Sequence, residues 1–129
     1  MKRNWAMIRQ AFVKGLKDSH GEVSPESLFE AVEAGSMILL CIAGEEKRVR
    51  GFCVAEIILY PQFKALNIVL LVGINSKSWA VELRDGLDSY AKLAGCHRVQ
   101  AYASGAVGRM LRGYGFDQLY SFMGRATSP

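Results

Sequence analysis

The chain has 129 residues, of which half are hydrophobic and 22% are charged, and its net charge is +4. This length suits a single domain, residues 1–129, and the hydrophobic content excludes a disordered chain. The longest apolar run is of strand length, so we expect no membrane span. No apolar stretch follows Lys2 and Arg3, so we expect no leader peptide. The mild positive charge suits an anionic ligand.

The cysteines and histidines give no metal-ligand pattern. Cys41, Cys53 and Cys96 lack the spacing of a zinc site, and His20 and His97 stand near predicted element ends. We therefore predict no metal. Cys41 and Cys53 lie in apolar strand-like runs, so we interpret them as buried structural thiols. An odd set of free thiols is typical of a reducing compartment, and we expect a cytoplasmic protein.

Two helices are predicted at the start of the chain. Residues 4–17 carry apolar side chains at helical spacing. This face consists of Trp5, Ile8, Phe12 and Leu16, widened by Met7, Ala11 and Val13. The second helix begins at Ser24, a capping residue followed by Pro25, and ends at Gly35.

Strand-like runs then dominate the chain. They are residues 37–43, 49–60, 63–74, 98–103 and 116–123. A charged turn at 44–47 joins the first two as a hairpin. Helices are predicted at 79–94, ended by Gly95, and at 106–114, ended by Gly115. The order α-α-β-β-β-α-β-α-β predicts an α/β fold of the mixed α+β kind, with a mostly antiparallel sheet and helices on both faces. The tail 125–129 is expected to fray.

The central stretch is a buried strand that leads through a polar loop into an amphipathic helix. The helix places one apolar stripe on a single face. The stripe consists of Trp79, Leu83, Leu87, Tyr90, Ala91 and Ala94. A strand, loop and helix in this order can present backbone N–H groups to a phosphate. It is equally the form of an ordinary strand–helix unit without a ligand, and both interpretations stay open here.

The element order resembles the GCN5-related N-acetyltransferase (GNAT) fold over nearly the whole chain. In that family the central strand–loop–helix binds the pyrophosphate of acetyl-CoA through the signature Q/R-x-x-G-x-G/A. The run Ser-Gly-Ala-Val-Gly-Arg-Met-Leu-Arg-Gly-Tyr-Gly-Phe, residues 104–116, is similar to the closing motif of the family, with Gly115 and Phe116 as the matching pair. The resemblance implies acetyl-CoA as the cofactor and an amine or protein as the acceptor of the acyl group.

The resemblance also implies the residues of a site. Its cofactor-binding positions are Leu71, Val72, Asn75, Ser76, Lys77, Ser78, Trp79, Ala80, Ser104 and Arg109. Backbone N–H groups near Leu71 and Val72 would polarise the thioester carbonyl. Arg109, with Arg112, would pair with phosphates or form a solvated basic face. Lys77 and the helix N-terminus would attract phosphate.

Several positions depart from the family pattern. Asn75 replaces Gln or Arg, and Ser78 replaces a glycine that lets the backbone approach phosphate. Leu111 stands where many members place a tyrosine acid, and leucine cannot donate a proton. Tyr114 is the predicted substitute, with Tyr102 as an alternative; each also suits a packed aromatic side chain.

Glu56 is the candidate general base. It is the one acid in the apolar run Val-Ala-Glu-Ile-Ile, and a lone carboxylate there either faces solvent or has a chemical role. Period-2 alternation puts it on the strand face of Val54, Ile58 and Tyr60. The alternative is an acid on a solvent-facing strand.

Two functions are compatible with these patterns. The first is an acyl-CoA-dependent N-acyltransferase. The alternative is a catalytically inactive module of the same fold with a protein partner, similar to the degenerate acetyltransferase-like proteins of tailed bacteriophages; its location would be the host cytoplasm or the virion. The N-terminal helix is basic but lacks stacking aromatics, so a nucleic-acid partner has little support.

Overall fold

A computed structural model describes residues 4–17, 21–43, 49–73, 80–103 and 105–127. The helices are α1 (Trp5–Gly15), α2 (Pro25–Ala34), α3 (Ala80–Leu93) and α4 (Gly105–Arg112). The strands are β1 (Ile38–Ala43), β2 (Val49–Leu59), β3 (Lys64–Gly73) and β4 (Arg98–Ala101). The predicted turn at 44–47 and Trp79, the predicted first residue of α3, lie outside the described residues.

Helix α2 begins and ends at the predicted residues. The Ser24 hydroxyl accepts the Ser27 N–H at 3.1 Å, and the Ser27 hydroxyl accepts the Ser24 N–H at 2.8 Å. This reciprocal pair satisfies two of the free donors at the helix start. At the other end Gly35 adopts φ +83°, a left-handed conformation that glycine reaches without strain.

Helix α1 buries a narrower face than the sequence indicates. Ile8, Ala11 and Phe12 are buried, as predicted. Met7 and Val13, which we expected to widen the face, are 47% and 50% exposed. That expectation is wrong because α1 lies over the sheet along one stripe, so its flanks face solvent.

The sheet has the order β1-β2-β3-β4. The pairs β1–β2 and β2–β3 are antiparallel, and β3–β4 is parallel. The predicted mixed, mostly antiparallel sheet is therefore confirmed. One irregularity interrupts it: Val54 pairs with Leu70 but Ala55 pairs with Ile68, so Val69 is an extra residue in β3. Such a bulge bends the strand and changes which side chains face each side.

The sheet separates two hydrophobic cores. On one face α1 and α2 pack on buried side chains of β2 and β3, namely Phe52, Val54, Leu70 and Val72. On the opposite face α3 packs through Leu83, Leu87 and Ala91 on Cys53, Ala55, Leu66 and Ile68. Helices therefore cover both faces, as predicted, and the described part of the α3 stripe is the buried one.

Two predictions about the apolar runs are wrong. Residues 116–123 form no strand, and Leu119, Tyr120, Phe122 and Met123 in this segment are exposed. The Arg112 guanidinium donates to the Gln118 side chain at 2.9 Å, which holds the start of the segment near α4. Cys41 is also exposed, not buried, because β1 is an edge strand.

Cys53 is the structural thiol that the sequence indicates. It is fully buried in the core between the sheet and α3. Burial raises the pKa of this thiol to about 12, because a thiolate there would lack solvation.

Candidate active site

The parallel strands β3 and β4 part at the end of a short ladder. Their pairing runs from Ala65–Arg98 to Ile68–Ala101, whereas β3 continues to Gly73. Within the described residues, residues 69–73 therefore have no partner strand on the β4 side. The gap opens at the bulge residue Val69. Backbone polar groups of this stretch that point away from β2 are not used by β4, and they can bind a ligand.

The predicted carbonyl-binding positions, Leu71 and Val72, lie on this stretch without a β4 partner. Leu71 is partly buried toward α3, and Val72 is buried toward α1. Ala80 is the first residue of α3. Asn75, Ser76, Lys77, Ser78, Trp79 and Ser104 lie outside the described residues.

Lys14 places a positive charge at the end of β3. Its Nζ donates to the Gly73 carbonyl oxygen at 3.2 Å, although 59 positions separate the two residues. The contact depends on a close approach of α1 to the sheet at Gly15. A Cβ atom on Gly15 would lie 2.5 Å from Leu70 Cδ1. Our sequence prediction missed Lys14; a basic residue in the last turn of α1 was its only signal.

Glu56 lies beside the parting, on the α1–α2 face of the sheet. It pairs in register with Asn67 of β3, next to the Ala55–Ile68 pair at which the bulge begins. Asn67 Nδ2 donates to Glu56 Oε1 at 3.3 Å. Asn67 is 4% exposed and Glu56 is half-buried. The carboxylate therefore belongs to a hydrogen-bonded cluster, and Glu56 is not an isolated acid on a strand.

The cluster extends to β4. Gln100 Nε2 donates to Asn67 Oδ1 at 3.2 Å and to the Tyr60 hydroxyl at 2.8 Å. Arg98 donates to Gln100 Oε1 through Nε and Nη2, at 3.0 and 2.8 Å. Sequence reasoning missed these partners of Glu56. Their signals were a polar Asn67 in an apolar strand and the polar alternation of β4.

Aromatic rings support the charged end of this cluster. The Arg98 guanidinium carbon lies 4.4 Å from the centroid of the Phe63 ring and 5.7 Å from that of Tyr60. Stacking on a ring restricts the orientation of a guanidinium and adds a cation–π attraction. The orientation of Arg98 is thus fixed by its hydrogen bonds to Gln100 and by its contacts with the two rings.

Tyr114 lies on the opposite side of the sheet from Glu56. Its ring faces Arg84 of α3, whose guanidinium carbon is 5.8 Å from the ring centroid. It also lines a cavity of about 10 Å³ with Leu83 and Leu87. Those two leucines pack on the Cys53–Ala55 face of β2, from which alternation directs Glu56 away. The two predicted catalytic residues are not brought together.

Arg109 is exposed on α4. Among the residues that the structure describes, none of the predicted site residues lines the open groove of about 270 Å³ between β1 and α3. Across the described residues, no group of three or more His, Cys, Asp or Glu side chains is placed to bind a metal ion. None of the helices in these parts of the chain is long and apolar enough to cross a membrane.

No family model matches the sequence, and no curated protein matches it. Several solved structures, however, are similar to this chain. A predicted acetyltransferase from Clostridium acetobutylicum, solved with acetyl-CoA, is 13% identical, with a TM-score of 0.73 over 98% of this chain and 92% of that chain. A probable acetyltransferase is 18% identical, with a TM-score of 0.67 over 98% and 93%.

A third neighbour, described as a transcriptional regulator from Bacillus halodurans, is 17% identical, with a TM-score of 0.71 over 98% of this chain and 95% of that chain. At these identities the similarity establishes the fold alone. The chain has the GNAT-like fold of acetyltransferases, as the element order predicted. A shared fold does not decide the activity, which has to be argued from the site.

Proposed function

We propose that the protein is an N-acyltransferase that uses acetyl-CoA. The observation that carries this proposal is the parting of β3 from β4 at Val69, after which residues 69–73 have no described partner strand on the β4 side, beside the Glu56 cluster. Lys14 at the end of β3 adds a cation suited to phosphate. The neighbour from Clostridium acetobutylicum supports the choice of cofactor.

When bound, acetyl-CoA supplies an activated acyl group as a thioester. In the Leu71–Val72 stretch, the backbone N–H group that points away from β2 donates to the thioester carbonyl oxygen and stabilises negative charge that develops there. Glu56 accepts the proton of the acceptor ammonium, so that the neutral nitrogen forms the amide bond. The nitrogen then loses a second proton to water as the C–S bond of the thioester breaks. With Tyr114 on the far side of the sheet, water supplies the proton to the leaving sulfur.

Ligand binding is the first test. Acetyl-CoA at a hundred times its dissociation constant should stabilise the fold by about 2.7 kcal/mol. Lys14→Met should weaken this stabilisation, whereas Lys17→Met, which removes a charge three positions away, should not. No change in melting temperature with millimolar acetyl-CoA would refute the proposal.

Turnover is the second test. A thiol-release assay with a panel of amines should show transfer by the wild type. Glu56→Gln should lower turnover by about a hundredfold to ten-thousandfold, the usual contribution of a general base. Glu33→Gln, an exposed acid on α2, is the matched control. Equal turnover in Glu56→Gln and wild type would remove Glu56 from the mechanism.

The second candidate is a module without catalysis that binds a protein partner. Leu111 favours it, because this leucine is 6% exposed where the family resemblance implies a tyrosine acid. The exposed apolar segment 116–123 favours it as well, since such surfaces often bind partners. A cytoplasmic or virion location, as in the phage proteins that the sequence resembles, belongs to this proposal. Acetyl-CoA binding without transfer to any amine would support it.

A further inference from the structure

In the Glu56 cluster, Arg98 determines which group donates and which group accepts in each hydrogen bond. The Arg98 guanidinium can only donate, and two of its N–H groups point at one atom, Gln100 Oε1. A flipped Gln100 amide would place its NH2 group against these donors. The Gln100 amide oxygen must therefore face Arg98, and its nitrogen must face away.

The orientation of the Gln100 amide on β4 in turn fixes that of the Asn67 amide on β3. Gln100 Nε2 donates to Asn67 Oδ1, so the Asn67 nitrogen is turned toward Glu56 Oε1. Asn67 is buried, and a rotated amide would leave a buried polar group without its partner. An N–H donor at Glu56 Oε1 requires an acceptor there. The direction set by Arg98 thus fixes Glu56 Oε1 as the acceptor of the Asn67 amide.

We infer that Arg98, Gln100 and Asn67 are positioning residues that hold Glu56 as an acceptor and leave its second carboxylate oxygen for the ammonium group of the acceptor amine. This inference rests on the proposed function. The geometry suits the role because the residues sit at adjacent register positions on three paired strands: Glu56 opposite Asn67, and Asn67 opposite Gln100. A rigid sheet holds such a side chain more closely than a loop does.

If the cluster only cross-linked the strands, a side chain of the same shape would suffice at position 100. If the cluster positions Glu56, the side chain at position 100 must also donate a hydrogen bond to Asn67. Gln100→Glu distinguishes these two roles. The new carboxylate keeps the shape and still accepts from Arg98, but it cannot donate to Asn67. Gln118→Glu is the matched control, because Gln118 also accepts from an arginine, Arg112, at 2.9 Å and donates onward to Ser121 at 3.3 Å.

The test combines NMR with kinetics. In the free wild-type protein we expect a nuclear Overhauser contact between the Asn67 Nδ2 hydrogens and the Glu56 γ-methylene. Gln100→Glu should lose this contact, still unfold in one cooperative transition, and lower kcat about tenfold, with the KM for acetyl-CoA unchanged. Gln118→Glu should retain both properties. Arg98→Met should resemble Gln100→Glu, and it serves as the test if Gln100→Glu does not fold.

Retention of the contact in Gln100→Glu and Arg98→Met would overturn the inference. So would loss of the contact with kcat unaltered, because Glu56 would then act without its partners. A wild type that shows the contact but transfers no acyl group would overturn both the proposed function and the catalytic purpose assigned to the cluster. A wild type that transfers the group but lacks the contact would overturn the inference alone.

Discussion

Leu111→Tyr tests whether a tyrosine at this position can supply the acid that the family resemblance implies. Leu111 is 6% exposed and lines the cavity between α3 and α4 together with Met110 and Phe116. That cavity of about 10 Å³ has room for about one water molecule, which is far less than a phenol ring needs. A phenol ring therefore does not fit without displacing its neighbours. We expect overpacking to destabilise the protein by about 1–3 kcal/mol.

The backbone at this position adds to the strain. The Leu111 carbonyl oxygen accepts the N–H groups of Tyr114 and Phe116, at 3.0 and 3.1 Å. These bonds close the end of α4, so the helix cannot easily shift to accommodate a ring. For a chain of this length, the expected loss corresponds to a fall in melting temperature of about 4–12 °C. Because the ring would point into the α3 face, we expect no gain in turnover.

The assay is thermal unfolding followed by thiol release. Val107→Tyr is the matched control, since it creates a tyrosine one turn earlier on α4 at a position 37% exposed. A surface change of this kind usually alters stability by no more than about 0.5 kcal/mol. A Leu111→Tyr protein as stable as the wild type, with faster transfer, would refute the packing argument and show that the new side chain reaches the reacting atoms.

The remaining predictions concern packing, reactivity and capping. Gly15→Ala should destabilise by roughly 1–3 kcal/mol in a denaturant titration, because its Cβ would meet Leu70; unchanged stability would show that α1 shifts freely. Iodoacetamide at about pH 9 should modify Cys41 but not Cys53, whose pKa of about 12 keeps it neutral. Because folding raises the Cys53 pKa, the contribution of this thiol to the free energy of unfolding is complete below the ordinary thiol pKa and is lost as pH rises toward 12. Labelling of Cys53 in the native protein would contradict this prediction. Ser24→Ala should cost about 1 kcal/mol of thermal stability, and a smaller loss with Ser24→Thr would confirm the cap.

The sequence by itself determined where helices begin and end at positions that require one particular kind of residue. Ser24 and Gly35 bound α2 as predicted, because a hydroxyl acceptor and a left-handed glycine are needed at those positions. Apolar periodicity likewise identified the buried face of α3. The order of these elements was enough to predict the fold, since few topologies accommodate it.

Tertiary structure decided what pairs with what. Residues 116–123 have a strand-like composition but form no strand, because strand formation needs a partner edge as well as apolar residues. The sequence offered Glu56 as the base and Tyr114 as the acid of one site, and the sheet separates the two residues. The hydrogen-bonded cluster depends on a strand register that brings residues 56, 67 and 100 side by side. A register is a property of paired strands, so it cannot be read from any single stretch of the sequence.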